Sequence, residues 1–356
     1  MALGLGPGET SNLKDRLRHV SASARARRLR YRTIEEARPF PDFLAALDEL
    51  TGGDDVSRMI HRQLAQPTRV QKRNILVLQA GEPVLATTLR RRAHFWEPAT
   101  TTCAPFLRLP HREGHLEEAL SASLHEVVIP EHIGDPADFR RHEVTPFEVY
   151  AMPLQAADFR AYWSENTWRN IVKTRNKTGD LTVAMDDPDA LEWLVARWET
   201  NWVDHESDEI GAADDLRAVW PELLARGHLK TITLVAGGSP VAAYAMAVRG
   251  KTVKGLVTAR DKSWTRGSLG IRVLIETMEA ARAAGFERLD MGGYSTYKHR
   301  FAPSGGIHHT VHLRPMLPGR LDAAARYLRR LGDRHQGATG GRPTAQVAAF
   351  ADQVML

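Results

Sequence analysis

At 356 residues, with 43% apolar and 26% charged residues and a net charge of +5, the chain has the composition of a globular protein and is long for one hydrophobic core, so two domains are expected. No apolar run approaches the ~18 residues of a membrane-spanning helix. The single cysteine, Cys103, excludes an intrachain disulfide and a cysteine-cluster metal site, as expected of a reducing, cytoplasmic setting.

The charge is uneven. Residues 1–32 hold Lys14, Arg16, Arg18, Arg25, Arg27, Arg28, Arg30 and Arg32 against Glu9 and Asp15, a net +6 that leaves the rest of the chain at −1. Such a basic arm is either a solvated tail or a contact for RNA or another anionic surface, binding by counterion release. Its Arg- and Ser-rich composition is also that of an organelle transit segment. After the arm, residues 41–66 read as helical. "NILVLQAGEPVLATTLRRR" (74–92) reads as two strands joined at Ala80–Gly81–Glu82, and "HEVVIP" (125–130) as a further strand. Near "FEVYAMPL" (147–154) the chain starts again with a helix in which Phe159, Trp163, Asn166 to Trp168 and Ile171 recur at helical spacing through residue 177. The domain boundary is therefore set at 150/151, giving a first domain of 33–150 and a second of 151–318, followed by a C-terminal helix and tail (319–356).

Helices over 187–203 and 212–226 precede "LKTITLVAGGSPVAAYAMAVRGKTVKGLVTAR" (229–260), three strands of an antiparallel meander punctuated by Gly237–Gly238 and Arg249–Gly250. In "TRGSLGIRVLIETMEAARAAG" Ser268 is a cap, Ile271, Leu274, Ile275, Met278 and Ala281 form one apolar stripe, and Gly285 ends the helix. "FERLDM" (286–291) is a strand, and "IHHTVHLRP" (307–315) another, with a last amphipathic helix near 320–332. Between those strands lies "GGYSTYKHRFAP", in which phenols, an ammonium and an imidazole stand a few residues apart.

This order, with "WRNIVKTRNKTG", "LVAGGSPVAAY", "GSLGIRVLIETMEAARAAGFERLDMGG" and "YKHRFAP", resembles the GNAT acyltransferase superfamily, in particular the branch of the cellulose-biosynthesis-type acetyltransferases close to the Fem peptidyltransferases. The resemblance covers residues 150–315. It implies an α+β fold with a mixed, mostly antiparallel sheet flanked by helices and, by analogy with the Fem enzymes, a degenerate GNAT-like partner domain in the first half. It also implies that the fourth and fifth strands, near 252–259 and 286–291, splay apart around the acyl donor. The helix after the fourth strand then aims its amino terminus, with Arg266, Gly267, Ser268, Leu269 and Gly270, at a pyrophosphate. The sequence departs from the family loop there: Thr265 stands where Arg or Gln is usual. That departure keeps an aminoacyl-tRNA donor open.

Acyl transfer to an amine needs the amine deprotonated, the oxyanion stabilised and the leaving group protonated. The acidic loop "DHESDE" (204–209) offers Glu206 or His205 as base and Asp204, Asp208 and Glu209 to attract a cation, or is simply a solvated loop. Tyr297 and Lys298 match the family's tyrosine–lysine pair, as leaving-group acid and oxyanion donor, with Tyr294 as a second phenol on the same rim. Arg169, Lys173 and Lys177 share a helix face fit for phosphates, and Trp168 beside them stacks on a base or packs in the core. "IHHTVH" puts His308 and His312 on one strand face and His309 on the other, and "HREGH" (111–115) lacks a zincin glutamate, so no metal is assigned.

The leading expectation is an N-acyltransferase that uses acyl-CoA as a co-substrate, with no permanently bound cofactor, and a small-molecule or peptide amine as acceptor. The second is an aminoacyl-tRNA-dependent transferase. The third is a non-catalytic binding protein on the same scaffold. The acceptor, the pathway and the oligomeric state are not written in the residues.

Overall fold

The computed structural model describes residues 30–313 except 93–94, 106, 123–125, 133–138, 140–141, 157, 203–209 and 294–296. Most of the basic arm and the expected helix near 320–332 lie outside the described residues. No helix among the described residues is long and apolar enough to cross a membrane.

In the first half, β1 (Tyr31–Glu36), α1 (Pro41–Leu50), α2 (Asp55–Leu64), β2 (Lys72–Gln79), β3 (Glu82–Arg92), β4 (Phe95–Pro98), α3 (Thr100–Cys103), α4 (Leu116–Ala122), β5 (Val127–His132) and β6 (Glu143–Pro153) follow in order. The segment read as helical over 41–66 is helical, as two helices. Gly52 and Gly53 turn the chain at φ 60° and 85°, a region only glycine enters without cost, and the Asp54 carboxylate then caps α2 by accepting from the amides of Val56 and Ser57 at 3.1 and 3.0 Å. The hairpin between β2 and β3 is as read, with Ala80 and Gly81 both at positive φ, the signature of a two-residue turn that matches strand twist.

The second half repeats this order. A 3₁₀ turn (Phe159–Tyr162) and α5 (Glu165–Lys177) lead into β7 (Thr182–Met185), α6 (Pro188–Trp202), α7 (Ile210–Ala225), the β8 (Leu229–Ala236), β9 (Ser239–Arg249), β10 (Thr252–Arg260) meander, α8 (Leu269–Ala283), β11 (Arg288–Gly293) and β12 (Ser304–Leu313). The helix expected over 159–177 breaks at Ser164, which is extended and caps α5 with its hydroxyl, accepting from Thr167 N at 3.2 Å. The sheet runs β1-β2-β3-β4-β5-β12-β6-β11-β10-β9-β8-β7. Its pairs are antiparallel except β4 with β5 and β10 with β11, the same position in each half. Each half lends its closing strand to the other: β12 pairs with β5, and β6 with β11. The fold is thus mixed and mostly antiparallel, two units of the same strand order joined in one sheet. The boundary read at 150/151 falls within β6, a shared strand.

Strand β9 shows how the sheet is covered. Its Ala242, Tyr244 and Met246 enter one core with Ile171 of α5 and Val273, Leu274 and Met278 of α8. The alternating Ala243 and Ala245 enter another with Leu194 and Trp198 of α6, Leu216 and Trp220 of α7, and Ile60 and Leu64 of α2. Period-two alternation with both faces apolar means helices on both sides. In the first half Leu76 of β2 meets Phe43 and Leu47 of α1. Ile75 and Val77 meet Leu120 of α4 and, from the far end of the chain, Val311 and Leu313 of β12.

Burial leaves one histidine poised against acid. His61 on α2 is 2% exposed, its Nε2 has no hydrogen-bond partner among the described residues, and desolvation lowers its pKa to about 4 despite a bond to the Arg108 backbone. The unfolded chain therefore binds this proton first as pH falls. Stability should drop between the unfolded pKa of ~6.5 and about 4, and at pH 5 His61 alone should cost roughly 2 kcal/mol. Denaturation midpoints at pH 7 and pH 5 for the unmodified chain and His61→Leu check this: the variant should lose that part of the slope.

Candidate functional site

The parallel strands β10 and β11 pair only from Thr252 with Arg288 to Lys254 with Asp290. Two irregularities at that level part them. A bulge shifts β10 against β9 between Gly255 and Val257, and β11 shifts against β6 between Asp290 and Gly293. The second kink is fixed locally, since the Asp290 carboxylate accepts from Gly292 N at 2.7 Å and Gly292 has φ 74°. A bulge bends its strand and ends regular pairing, so the remainder of β10, through Arg260, runs without a β11 partner.

A cleft of about 740 Å³ opens at this parting. Tyr244 from β9 and Thr258, Ala259 and Arg260 from β10 make its floor, and Ser268, Gly270, Ile271 and Leu274 from the start of α8 one wall. Ser164, Asn166, Thr167 and Asn170 from the start of α5 make another, and Lys262, Tyr297, Arg300 and Phe301 complete the rim. The lining has three cations and no carboxylate or imidazole among the described residues. The amino terminus of α8 adds to this field. Ser268 Oγ accepts from Ile271 N at 3.4 Å, while the amides of Leu269 and Gly270, in the first turn, have no intrahelical acceptor. Helix dipole and free amides together favour an anion.

The expected phosphate loop divides. Ser268 and Gly270 face the cleft. Leu269 is buried in the core beneath. Gly267 holds φ +83°, and a Cβ there would press on Lys177 and Thr178 at 3.3 Å, so glycine is required. Arg266 is drawn off by Asp180 at 2.9 Å and lies over the Trp264 ring at 4.5 Å.

Of the tyrosine–lysine pair, Tyr297 lines the cleft, 41% exposed, with its phenol raised by desolvation. Lys298 opens a 3₁₀ turn (Lys298–Arg300), and its Nζ donates to the Gly293 carbonyl at 3.0 Å, tying that turn to the end of β11. Trp168 stacks on Trp163 with 6.1 Å between centroids, and the Arg160 guanidinium lies 5.3 Å from its ring. Arg169 sits 3.4 Å from Glu165 on the exposed side of α5. Lys173 and Lys177 are exposed and, by helical spacing, continue the face of Asn166 and Asn170. Asp204, His205, Glu206, Asp208, Glu209 and Tyr294 lie outside the described residues.

Sequence reasoning passed over Tyr244, Arg260, Lys262, Arg300 and the two asparagines. An isolated glycine within a strand, Gly255, was the available signal, since it marks a bulge or a close approach. Both occur here: any Cβ at Gly255 would overlap the Tyr244 hydroxyl. In the first half a short helix follows β4 in the same way. There α3 packs on α7, with the Trp220 indole donating to the Cys103 carbonyl at 3.0 Å and Cys103 itself buried, its thiol pushed up to about 12.

Among solved structures, the chain is similar to L-PGS from Bacillus licheniformis (12% identity, 81% of this chain and 97% of that chain covered, TM-score 0.49). It is also similar to a tandem GNAT protein from the clavulanic acid biosynthesis pathway (11%, 80% and 99%, 0.43) and to FemX (10%, 78% and 96%, 0.43). A search of curated proteins finds no match. The family model described as an acetyltransferase (GNAT) domain matches residues 164–299, from the cap of α5 to the turn that carries Tyr297. Over that stretch the chain is similar to the GNAT acetyltransferase domain.

Proposed function

We propose that this domain transfers an acyl group from an acyl-CoA thioester to an amine by direct attack. The carrying observation is the cleft where β10 leaves β11, cationic through Arg260, Lys262 and Arg300 and closed at one end by the α8 amino terminus. The unpaired edge of β10 suits an extended, amide-bearing chain, which can add to it as a strand would, while the helix end suits a pyrophosphate. The amine nitrogen attacks the thioester carbonyl, the carbon–sulfur bond breaks, and the proton lost from nitrogen ends on the thiol of CoA. A free primary amine has a pKa near ~10.4, so a base is needed. Glu206 and His205, in the connection between α6 and α7, are the proposed bases. Tyr297 stands at the rim as a hydrogen-bond donor to the departing sulfur. Burial raises the Tyr297 phenol, so it is protonated and available to the departing sulfur as a donor or as the leaving-group acid.

A second reading keeps the chemistry and changes the donor to aminoacyl-tRNA. The observation in its favour is that exposed Lys173 and Lys177 extend the cleft-lining face of α5. Thermal stabilisation separates the two. CoA at a hundred times its Kd should add about 2.7 kcal/mol to stability and raise the melting temperature. Absence of any shift with millimolar CoA and acetyl-CoA, beside a shift with an aminoacyl-tRNA pool, would replace the first reading by the second.

A further inference from the structure

We propose that Tyr244 is a catalytic residue of this centre, whose hydroxyl donates a hydrogen bond to the carbonyl oxygen of the bound acyl group. The inference rests on the acyl-CoA reading above and adds to it a residue on the central strand β9. The ring of Tyr244 is part of the core between the sheet and the α5/α8 layer, and the residue is 6% exposed. Its hydroxyl reaches across to Gly255, at the level where β10 and β11 cease to pair, and lines the cleft. That hydroxyl has no hydrogen-bond partner among the described residues. A tyrosine buried to this extent ordinarily finds a partner for its O–H, and the side of the hydroxyl left open is the cleft.

The surroundings decide what the partner must be. Asp290 is near enough to act on Tyr244 electrostatically, but its Oδ1 is engaged by Gly292 N. Burial, with Tyr297 and Asp290 as neighbours, raises the Tyr244 phenol, so it stays protonated and serves as a donor. The complementary ligand group is a neutral acceptor that gains negative charge during reaction, which describes a thioester carbonyl under attack. The β10 bulge and the absence of a side chain at Gly255 keep the hydroxyl in place.

Tyr244→Phe removes the oxygen and keeps the ring, so a merely space-filling role predicts no change. The probe is acetyl-CoA labelled with carbon-13 at the carbonyl, bound to the full chain and read by isotope-edited infrared spectroscopy, which requires no acceptor. In the unmodified protein the carbonyl band should lie at lower wavenumber than in water. In Tyr244→Phe it should return toward the value of a carbonyl with no donor, while acetyl-CoA still raises the melting temperature. With an acceptor in hand, kcat should fall about 100-fold with KM for the donor nearly unchanged. Stabilisation by acetyl-CoA with the same band in both proteins overturns the role of Tyr244 alone. Failure of acetyl-CoA to stabilise the unmodified chain overturns the acyl-CoA reading and this inference together.

Discussion

Replacing Lys72 by methionine is expected to destabilise the fold by about 3–5 kcal/mol, because it strands a buried carboxylate. Lys72 of β2 and Asp215 of α7 are each 1% exposed and meet at 2.5 Å, and the Lys72 ammonium also donates to the carbonyls of Leu64 and Gln66 at 2.9 and 3.2 Å. Around them Arg90 pairs with Glu97 and lies 4.0 Å from Asp215. Burial raises the Asp215 carboxyl even against these cations. The cluster joins β2, β3 and β4 of the first half to α7 of the second, across the face where α2 packs on α7. A cost of that size approaches the whole stability of many domains, which lies near ~5–15 kcal/mol. The double variant Lys72→Met with Asp215→Leu should recover most of the loss, since a buried ion pair replaced by apolar groups of similar volume is often neutral or better. Urea midpoints for both singles and the double close the cycle. A single variant within about 0.5 kcal/mol of the unmodified chain would show that the pair carries no such strain.

The elements that sequence exposed most clearly are those whose signals are local. Helix α8 declares itself by the Ser268 cap, its apolar stripe and Gly285, and runs Leu269–Ala283. The three-strand meander is legible because Gly237, Gly238 and Gly250, all at positive φ, punctuate it. By contrast β7 is four residues long with Val183 and Met185 exposed, so it offers no buried alternation to find. The helical reading of 41–66 resolves into two helices because Gly52 and Gly53, both at positive φ, turn the chain between them.

The site divides in the same way. Ser268 and Gly270 could be found because a small-residue helix start is a local feature. Tyr244 could not: "VAAYAMAV" reads as a continuous core run, and only the register that sets Tyr244 opposite Thr258, together with the Gly255 bulge, carries its hydroxyl into the gap. The residue type of Lys298 suggests a charge for an oxyanion, and its ammonium also donates to the Gly293 carbonyl, a contact that ties down the turn on which Tyr297 and Arg300 reach the cleft. Trp168, open to a base or to the core, has the Trp163 ring stacked on it and the Arg160 guanidinium over its ring.

Gly270→Glu should abolish stabilisation by CoA without harming the fold. A Cβ at Gly270 meets nothing within 4 Å, and its φ lies outside the glycine-favoured region, so a side chain enters open cleft space. The position is in the first turn of α8, where replacing glycine gains up to ~1 kcal/mol of helix propensity and a carboxylate interacts favourably with the helix dipole by about 0.3–1 kcal/mol. The free protein should therefore melt at the same temperature or higher. The same charge opposes a pyrophosphate: one negative charge about 5 Å away at an effective dielectric of about 20 costs roughly 3 kcal/mol, more than a hundredfold in affinity. Gly270→Ala, with no charge, should share the gain in stability and retain much of the CoA shift. Melting curves with and without millimolar CoA for the three proteins provide the comparison. If Gly270→Glu keeps the full CoA shift, the anion is bound elsewhere, and the Arg260, Lys262 and Arg300 rim, away from the helix end, becomes the place to look for it. If Gly270→Ala loses the shift as completely as Gly270→Glu, the space at residue 270 and not the charge governs binding, and the α8 amino terminus is a steric wall of the cleft.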